Sequence, residues 1–427
     1  MRKLILVIVI KLYPMNKDFQ NNDCIENVNC LACESDSLRT ILDLGKQPLA
    51  NSYHDGETLT TYPLKLNVCT KCYHLQQSHA VNPDLMFKNY LYVSGTTKTL
   101  HSYFDDFAKK TLEYFTEAKT ILDIACNDGT QLDYYKRLGL ITYGIDPAEN
   151  LHNDAVKKGH IIACDYFTKD SAQTLNDSFD IITAQNVFAH TRYEHEFLLD
   201  CKEIMHDKSV LFIQTSQANM IINNEFDTVY HEHMSFFNTL SMKTLVERAG
   251  LYLNDVFKTD IHGTSYVFVI TKTNHIKKTG VEDSLISERL SGLYDMITYG
   301  DYVAKCYHAT FTLKKELLNY RKEGYIIAGY GAAAKGNTFL NFGDIKLDFI
   351  IDDNPLKHNL LTPGQDIKIL PISYLNDFNE SQKIIYVPLA WNFYEEIKKR
   401  VLAVRNNSND IFVKYFPHLK EEKNITV

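Results

Sequence analysis

At 427 residues the chain has room for two or three domains, and 45% hydrophobic residues is ordinary globular composition. A net charge of −8 with no long Lys/Arg run excludes a nucleic-acid surface. Nine cysteines spread over this length exclude a disulfide scaffold, so their placement matters more than their number.

The chain opens on "LILVIVI", Leu4 to Ile10. The run is too short to span a bilayer, and no small-residue cleavage site follows it. A cytoplasmic protein with no membrane partner is therefore expected, with Met15 as a candidate start of the folded part. From Cys24 to Val81 come short strand-like runs, turn residues and two C-x-x-C pairs, Cys30/Cys33 and Cys69/Cys72. Each short turn presents two thiolates to one ion, which suits a tetrahedral structural zinc with no open position for substrate. Buried unpaired thiols are the plain alternative. Cys24 stands outside both pairs, and Cys126, Cys164, Cys201 and Cys306 read as small buried residues.

"YLYVSGTTKTLHSYFDDFAKK" reads as a loop leading into a helix, with Tyr90 and Tyr92 as candidate lid residues. From Thr120 the rhythm becomes buried strand, turn, helix: "TILDIACNDG", "ITYGID", "HIIACDYF", "FDIITAQNVFAH" and "SVLFIQTS". That alternation predicts a parallel, doubly wound α/β sheet. "LYLNDVFKTD" and "TSYVFVITK" add two strands as an antiparallel edge.

The first strand ends in Asp123 and a turn of small residues, which lets backbone approach a ligand at a helix N-terminus. Ala125 and Asn127 stand where glycines are usual, and Gly129 remains. Asp146 ends the next strand, where a carboxylate would hold two ribose hydroxyls. Asp165 follows the third strand, within reach of an adenine amino group. Gln185, Asn186 and His190 close the fourth. Ligands bind outside the carboxyl ends of parallel strands, so these residues share one crevice. On pattern alone it suits S-adenosylmethionine or a dinucleotide.

"YHEHMSFFN", Tyr230 to Asn238, sets two histidines around Glu232. A metal site, a proton relay and polar core are all compatible with it. Residues 274–320 have helical spacing and lead to a second α/β unit, "GYGAAAKGN" through "LDFIIDDNP" to "KIIYVPLAWN". Lys335 in the helix's first turn is a natural diphosphate partner, and NAD binding is the rival reading. Asp352, Asn354 and Lys357 follow the next strand. The expected division is 16–85, 86–273 and 274–427.

Together, "CLAC" with "CTKC", "DIACNDGT", "QNVFAH", "YHEHMSFF", "GYGAAAKGNTFLN", "IDDNPLKHN" and "PLAWN" resemble the sugar C-methyltransferases that act on nucleotide-activated keto-deoxysugars. The resemblance runs from about Cys30 to Asn392. It implies a small zinc-binding N-terminal domain, a Rossmann-like class I methyltransferase domain that binds S-adenosylmethionine, and a second Rossmann-like domain anchoring the nucleotide-sugar. Oligomeric state is left open, and a monomer is compatible. Substrate contacts would include Tyr90, Tyr92, His262, Tyr330, Gly331, Lys335, Asn337, Asp352, Asn354 and Lys357. The family's "HGGS" followed by an apolar residue and arginine is "HGTSYVFV" here, without the arginine. The resemblance makes His233 the base.

The residues agree with such chemistry. Removing a hydrogen beside a ketone needs a base tuned near neutral pH, a donor for the developing oxyanion, and alignment. Histidine suits the first task. Tyr230, or a protonated His190, suits the second, while Glu232 orients a histidine or bonds the sugar. The alternatives are an O- or N-methyltransferase on a related nucleotide-sugar, or an inactive sugar-nucleotide-binding protein.

Overall fold

The computed structural model describes residues 19, 22–87, 98–216, 219–259, 264–416 and 420–423. Tyr90, Tyr92, His262 and the apolar opening lie outside the described residues.

The N-terminal part is built on β2 (Leu38–Pro48) and β3 (Thr61–Cys69), an antiparallel pair. Alternation along β3 turns Tyr62, Leu64, Leu66 and Val68 inward. β4 (Leu75–Gln77) pairs with β3, while β1 (Cys24–Glu26) and β5 (His79–Val81) form a separate two-stranded ribbon.

The middle sheet uses β6 (Thr120–Ile124), β7 (Ile141–Ile145), β8 (Ile161–Ala163), β9 (Phe179–Gln185) and β10 (Met205–Ser216). β11 (Ser235–Phe236) follows in the chain, and β12 (Tyr252–Thr259) and β13 (Ser265–Thr271) finish the sheet. Its order is β12-β13-β10-β9-β6-β7-β8, with β6 to β10 parallel and β13 antiparallel to both neighbours. Strand order reverses between β6 and β9, and the turns after β6, β7 and β9 open onto that point. β11 belongs elsewhere. It pairs with β4, Ser235 opposite Gln76 and Phe236 opposite Leu75, as the outer strand of the N-terminal sheet.

Helices Gly280–Leu290 and Met296–Lys322 lead onward. The second buries Tyr299, Tyr302, Cys306, Thr310, Leu313 and Leu317, a stripe at helical spacing. The last sheet comprises β14 (Ile326–Tyr330), β15 (Phe349–Ile351), β16 (Ile369–Leu370), β17 (Ile384–Pro388), β18 (Ile411–Lys414) and β19 (Lys420–Lys423). Their order, β16-β15-β14-β17-β18-β19, is Rossmann-like, with β19 antiparallel. One continuous core joins Leu42, Leu64 and Leu66 to Phe226 and Val229 and on to Leu313, Phe339 and Val387. The three parts therefore share apolar surface, and the polar sites described below lie along that seam.

Cys126, Cys201 and Cys306 are buried as expected, but Cys164 is exposed. β8 stops at Ala163, and the chain turns outward to solvent there. No helix among the described residues is long and apolar enough to cross a membrane.

Candidate active site

The four thiols of Cys30, Cys33, Cys69 and Cys72 converge, every sulfur within 4.8 Å of every other. Sγ–Sγ separations of 3.5 Å (Cys30–Cys72) and 3.6 Å (Cys33–Cys69) suit the edges of a tetrahedron. Zn–S bonds of about 2.3 Å imply edges of about 3.8 Å. The two knuckles are copies of one another in backbone. Glu34 N–H donates to Cys30 O at 2.8 Å and Tyr73 N–H to Cys69 O at 2.9 Å, with Glu34 (φ 60) and Tyr73 (φ 56) left-handed. Arg248, in helix Thr239–Arg248, donates to the Ala32 carbonyl at 2.6 Å and docks the first knuckle on the middle domain. Among the described residues this is the only cluster of three or more His, Cys, Asp or Glu placed for a metal.

At the carboxyl ends of β6, β7 and β9 lies a cavity of about 240 Å³. Asp123, Ala125, Asn127, Asp146, Gln185 and Asn186 all line it, as does His190. Gly129 and Asp165 do not. A side chain at Gly129 (φ +74) would meet His160 at 2.8 Å, so this glycine permits helix packing. Asp165 is exposed, and its carboxylate accepts from Tyr166 N–H at 2.8 Å.

Asp146 accepts from Asn127 N–H through Oδ2 and from Ala148 N–H through Oδ1, both at 2.8 Å, which aims its carboxylate at the cavity rim. Thr183 donates to Asp123 at 2.6 Å, and burial pushes that carboxyl up to about 7. Ala125 (φ 60), Asn127 (φ 52) and Asn186 (φ 53) line this crevice in the left-handed conformation without being glycine. Among the described residues, Gln185 Oε1, Asn186 Oδ1, Gln214 Nε2 and Tyr103 Oη in its wall are buried without partners. Such atoms call for a polar ligand. The ribose hydroxyls, adenine and amino-acid ends of S-adenosylmethionine supply matching groups.

The Tyr-His-Glu-His turn lies beside this cavity. His233 Nδ1 is 2.8 Å from the Thr228 carbonyl, which can only accept, so Nδ1 carries the proton. Nε2 is then the acceptor for the Tyr230 hydroxyl at 2.9 Å. The His190 and His233 rings are 5.1 Å apart, which sets His233 one ring away from the cavity wall. Burial pushes His190 down to about 4, which favours its neutral form at neutral pH over the expected protonated one. His231 turns the other way, with Nε2 3.4 Å from the Tyr62 carbonyl. It packs edge-on against the Tyr62 ring, and among the described residues neither histidine belongs to a group of three or more possible metal ligands. Glu232 is buried, accepts from Asn51 Nδ2 at 2.5 Å and is pushed up to about 7 by burial.

The glycine turn after β14 repeats the construction. Asp352 accepts from Ala332 N–H at 2.7 Å and from Asn354 N–H at 2.8 Å. Here, however, side chains fill the turn: Tyr53 Oη donates to the Ala332 carbonyl at 2.5 Å and Lys357 Nζ at 2.7 Å. Gly331 (φ +87) makes the turn, and a side chain there would meet Ala390 at 3.0 Å. Asn337 is buried and donates to the Ala50 carbonyl at 2.8 Å. Asn354 caps its own short helix by accepting from Leu356 N–H at 3.0 Å. Tyr330 is buried, its hydroxyl donating to Asp353 at 2.9 Å, and belongs to the sheet's core. Lys335 lies over the Trp391 ring at 5.1 Å, and its charge favours the ionised forms of Glu225 and Asp227 against their burial. Trp391 Nε1 donates to Asp227 at 2.7 Å.

Sequence reading missed Asn51, Tyr53 and Asp227. "LANSYH", Leu49 to His54, is a strap from the N-terminal part, and it touches Glu232, Ala332 and Asn337 at once. Its polar residues look like any loop. Only the fold brings them between the Tyr-His-Glu-His turn and the last sheet.

Comparisons with known proteins agree with this geometry. Residues 30–87 match a zinc binding domain family, 97–256 a methyltransferase domain family, and 260–417 the C-methyltransferase C-terminal domain family. The chain is 27% identical to the C-methyltransferase NovU of Streptomyces niveus, over 86% of this chain and 90% of that one. A ubiquinone biosynthesis O-methyltransferase of Glaesserella parasuis is 30% identical over 24% of this chain and half of its own. Magnesium protoporphyrin IX methyltransferase from Synechocystis, solved with bound S-adenosylmethionine, superposes with a TM-score of 0.32. It is 10% identical and covers 40% of this chain and 79% of its own, a likeness too slight to carry functional weight. The three family matches follow one another along the architecture described above, and with the likeness to NovU they show an S-adenosylmethionine-dependent C-methyltransferase that carries a zinc-binding domain ahead of its methyltransferase domain.

Proposed function

We propose that the protein methylates a nucleotide-linked 4-keto-deoxysugar at the carbon beside the ketone, with His233 as the base. The observation that carries this reading is the tautomer of His233. The Thr228 carbonyl accepts from Nδ1–H, so the lone pair on Nε2 faces the Tyr230 hydroxyl, with the His190 ring 5.1 Å from that of His233.

A carbon has no lone pair to offer a methyl donor, so one must be made. Nε2 takes the proton from the carbon beside the ketone, and the C–H electron pair becomes the enolate. The Tyr230 hydroxyl, released from Nε2, donates to the ketone oxygen as charge develops there. His190, neutral at this depth, can donate from its own N–H, as neutral imidazoles do in other enolate chemistry. The imidazolium formed keeps its Nδ1–H on Thr228. S-adenosylmethionine, when bound, supplies the sulfonium methyl that the enolate carbon attacks. Lys335, beside Trp391 at the start of helix Ala334–Gly343, offers a cation to the substrate diphosphate.

Labelled S-adenosylmethionine and a panel of thymidine- and guanosine-linked keto-sugars provide the test. Methyl transfer with loss to water of deuterium placed beside the ketone is the expected result. Methylation with that deuterium retained would mean an O- or N-methyltransferase. No transfer to any keto-sugar would exclude the substrate class.

A further inference from the structure

Gln76 and Gln77 stand side by side in β4, and both are fully buried. Neighbouring strand residues face opposite sides, so two primary amides project from the strand in opposite directions inside the protein. Buried amides need partners. Gln76 finds them on the first zinc knuckle: Oε1 accepts from Leu31 N–H at 2.8 Å, and Nε2 donates to the Asn29 carbonyl at 3.0 Å. These two residues flank Cys30. The Gln77 Nε2 finds its partners on the catalytic turn, while its Oε1 has none among the described residues. Its Nε2 donates to the carbonyls of Tyr230 at 2.5 Å and His233 at 2.9 Å, the first and last residues of the Tyr-His-Glu-His run.

Backbone contacts reinforce the same path. Gln77 N–H donates to the Met234 carbonyl at 2.9 Å, and Ser235 pairs with Gln76 in register. Asn27 Nδ2 holds the Gln77 carbonyl at 3.0 Å. The amide has two hydrogens, and each fixes one carbonyl of the turn. The spacing of those carbonyls then sets how the side chains of Tyr230 and His233 meet.

We infer that Gln77 is a positioning residue for His233, and that the Gln76–Gln77 pair carries the order of the zinc knuckle into the catalytic turn. The inference deepens the proposed function and rests on His233 as the reacting group.

Gln77→Met keeps the volume and removes both donors. In protein labelled with ¹⁵N-histidine, the His233 ring signals (assigned by His233→Ala) report which nitrogen carries the proton. Gln77→Met should retain one zinc per chain and bind S-adenosylmethionine within about twofold of the parent. Its His233 signals should move away from the Nδ1-protonated pattern, and turnover should fall about 10²-fold, the loss that goes with a misplacement of about 1 Å. Gln76→Leu, which does not touch the turn, should weaken zinc retention and move the same signals less far. Chelating zinc from the parent protein should move them too.

Unchanged His233 signals in Gln77→Met would overturn the positioning role. So would joint loss of zinc and methyl-donor binding, which would make Gln77 a general fold residue. Unchanged signals in Gln76→Leu and after chelation would sever the link to zinc. If the parent methylates none of the keto-sugars, the substrate reading fails, while the histidine signals still decide the role of Gln77.

Discussion

The two Rossmann-like crevices invite comparison because they start from one plan. In each, an aspartate ending the second strand accepts two backbone N–H groups, one from the turn after the first strand and one from just beyond itself: Asp146 from Asn127 and Ala148, Asp352 from Ala332 and Asn354. In the middle domain the plan stays open. A cavity remains, lined by left-handed Ala125, Asn127 and Asn186 and by buried polar atoms without partners. In the C-terminal domain, the glycine turn has only Gly331 left-handed, and Tyr53 and Lys357 both bond the Ala332 carbonyl. At the open crevice, left-handed residues and unpartnered polar atoms stand around a space that a ligand can enter. In the C-terminal domain the same turn is filled by the protein itself.

The largest effect should come from the chemistry beside the open crevice. His233→Ala should lose about 10²–10⁴-fold in turnover, the usual range for a general base. S-adenosylmethionine and nucleotide-sugar should both still bind, and exchange of the substrate's carbon-bound hydrogen with solvent should fall in parallel. Near-normal turnover in His233→Ala, with a collapse in Tyr230→Phe or His190→Ala, would move the base elsewhere.

Next come two substitutions that should separate the crevices. Lys335→Ala should raise the KM for the nucleotide-sugar by about tenfold or more, since a charge-assisted hydrogen bond contributes about 1.5–3 kcal/mol. Its effect on the methyl donor should be small. Asp146→Ala should do the reverse, weakening S-adenosylmethionine binding by about 1–3 kcal/mol in calorimetry. If either substitution weakens both ligands equally, the two crevices are not independent. Lys335 is the more exposed to that outcome, because it also faces Glu225 and Asp227 across the seam.

What was legible in the sequence follows a physical line. Buried parallel strands are continuous apolar runs, so β6, β7, β9, β10, β14, β15 and β17 stood out. Two C-x-x-C pairs marked the zinc knuckles because thiolate chemistry needs that spacing. β11 escaped notice because two residues carry no periodicity, and its partner strand lies far back in the chain. The strap escaped for the same reason: Asn51 and Tyr53 acquire meaning only when Glu232 and Ala332 stand against them. Burial favours the neutral form of His190 over the protonated one, and spacing cannot show burial. Gln76 and Gln77 did leave a trace, two amides together where a strand runs inward.

The smallest effect tests the filled turn itself. Tyr53→Phe removes one hydroxyl from the Ala332 carbonyl, but Lys357 Nζ still bonds that oxygen, so no buried acceptor is left bare. The ring, with Lys357 Nζ 4.8 Å from its centroid, is retained. The loss should therefore stay near the net worth of one hydrogen bond, about 0.5–1.5 kcal/mol. It should fall on the side of the C-terminal crevice: KM for the nucleotide-sugar rises by up to about tenfold, while affinity for S-adenosylmethionine does not change. Turnover at saturating sugar should hold, because Asn51 still orients Glu232 from the other part of the strap. A drop in saturated turnover with KM unchanged would show that Tyr53 acts on the catalytic turn through the strap. The filled crevice would then be a support for the chemistry and not a holder of substrate.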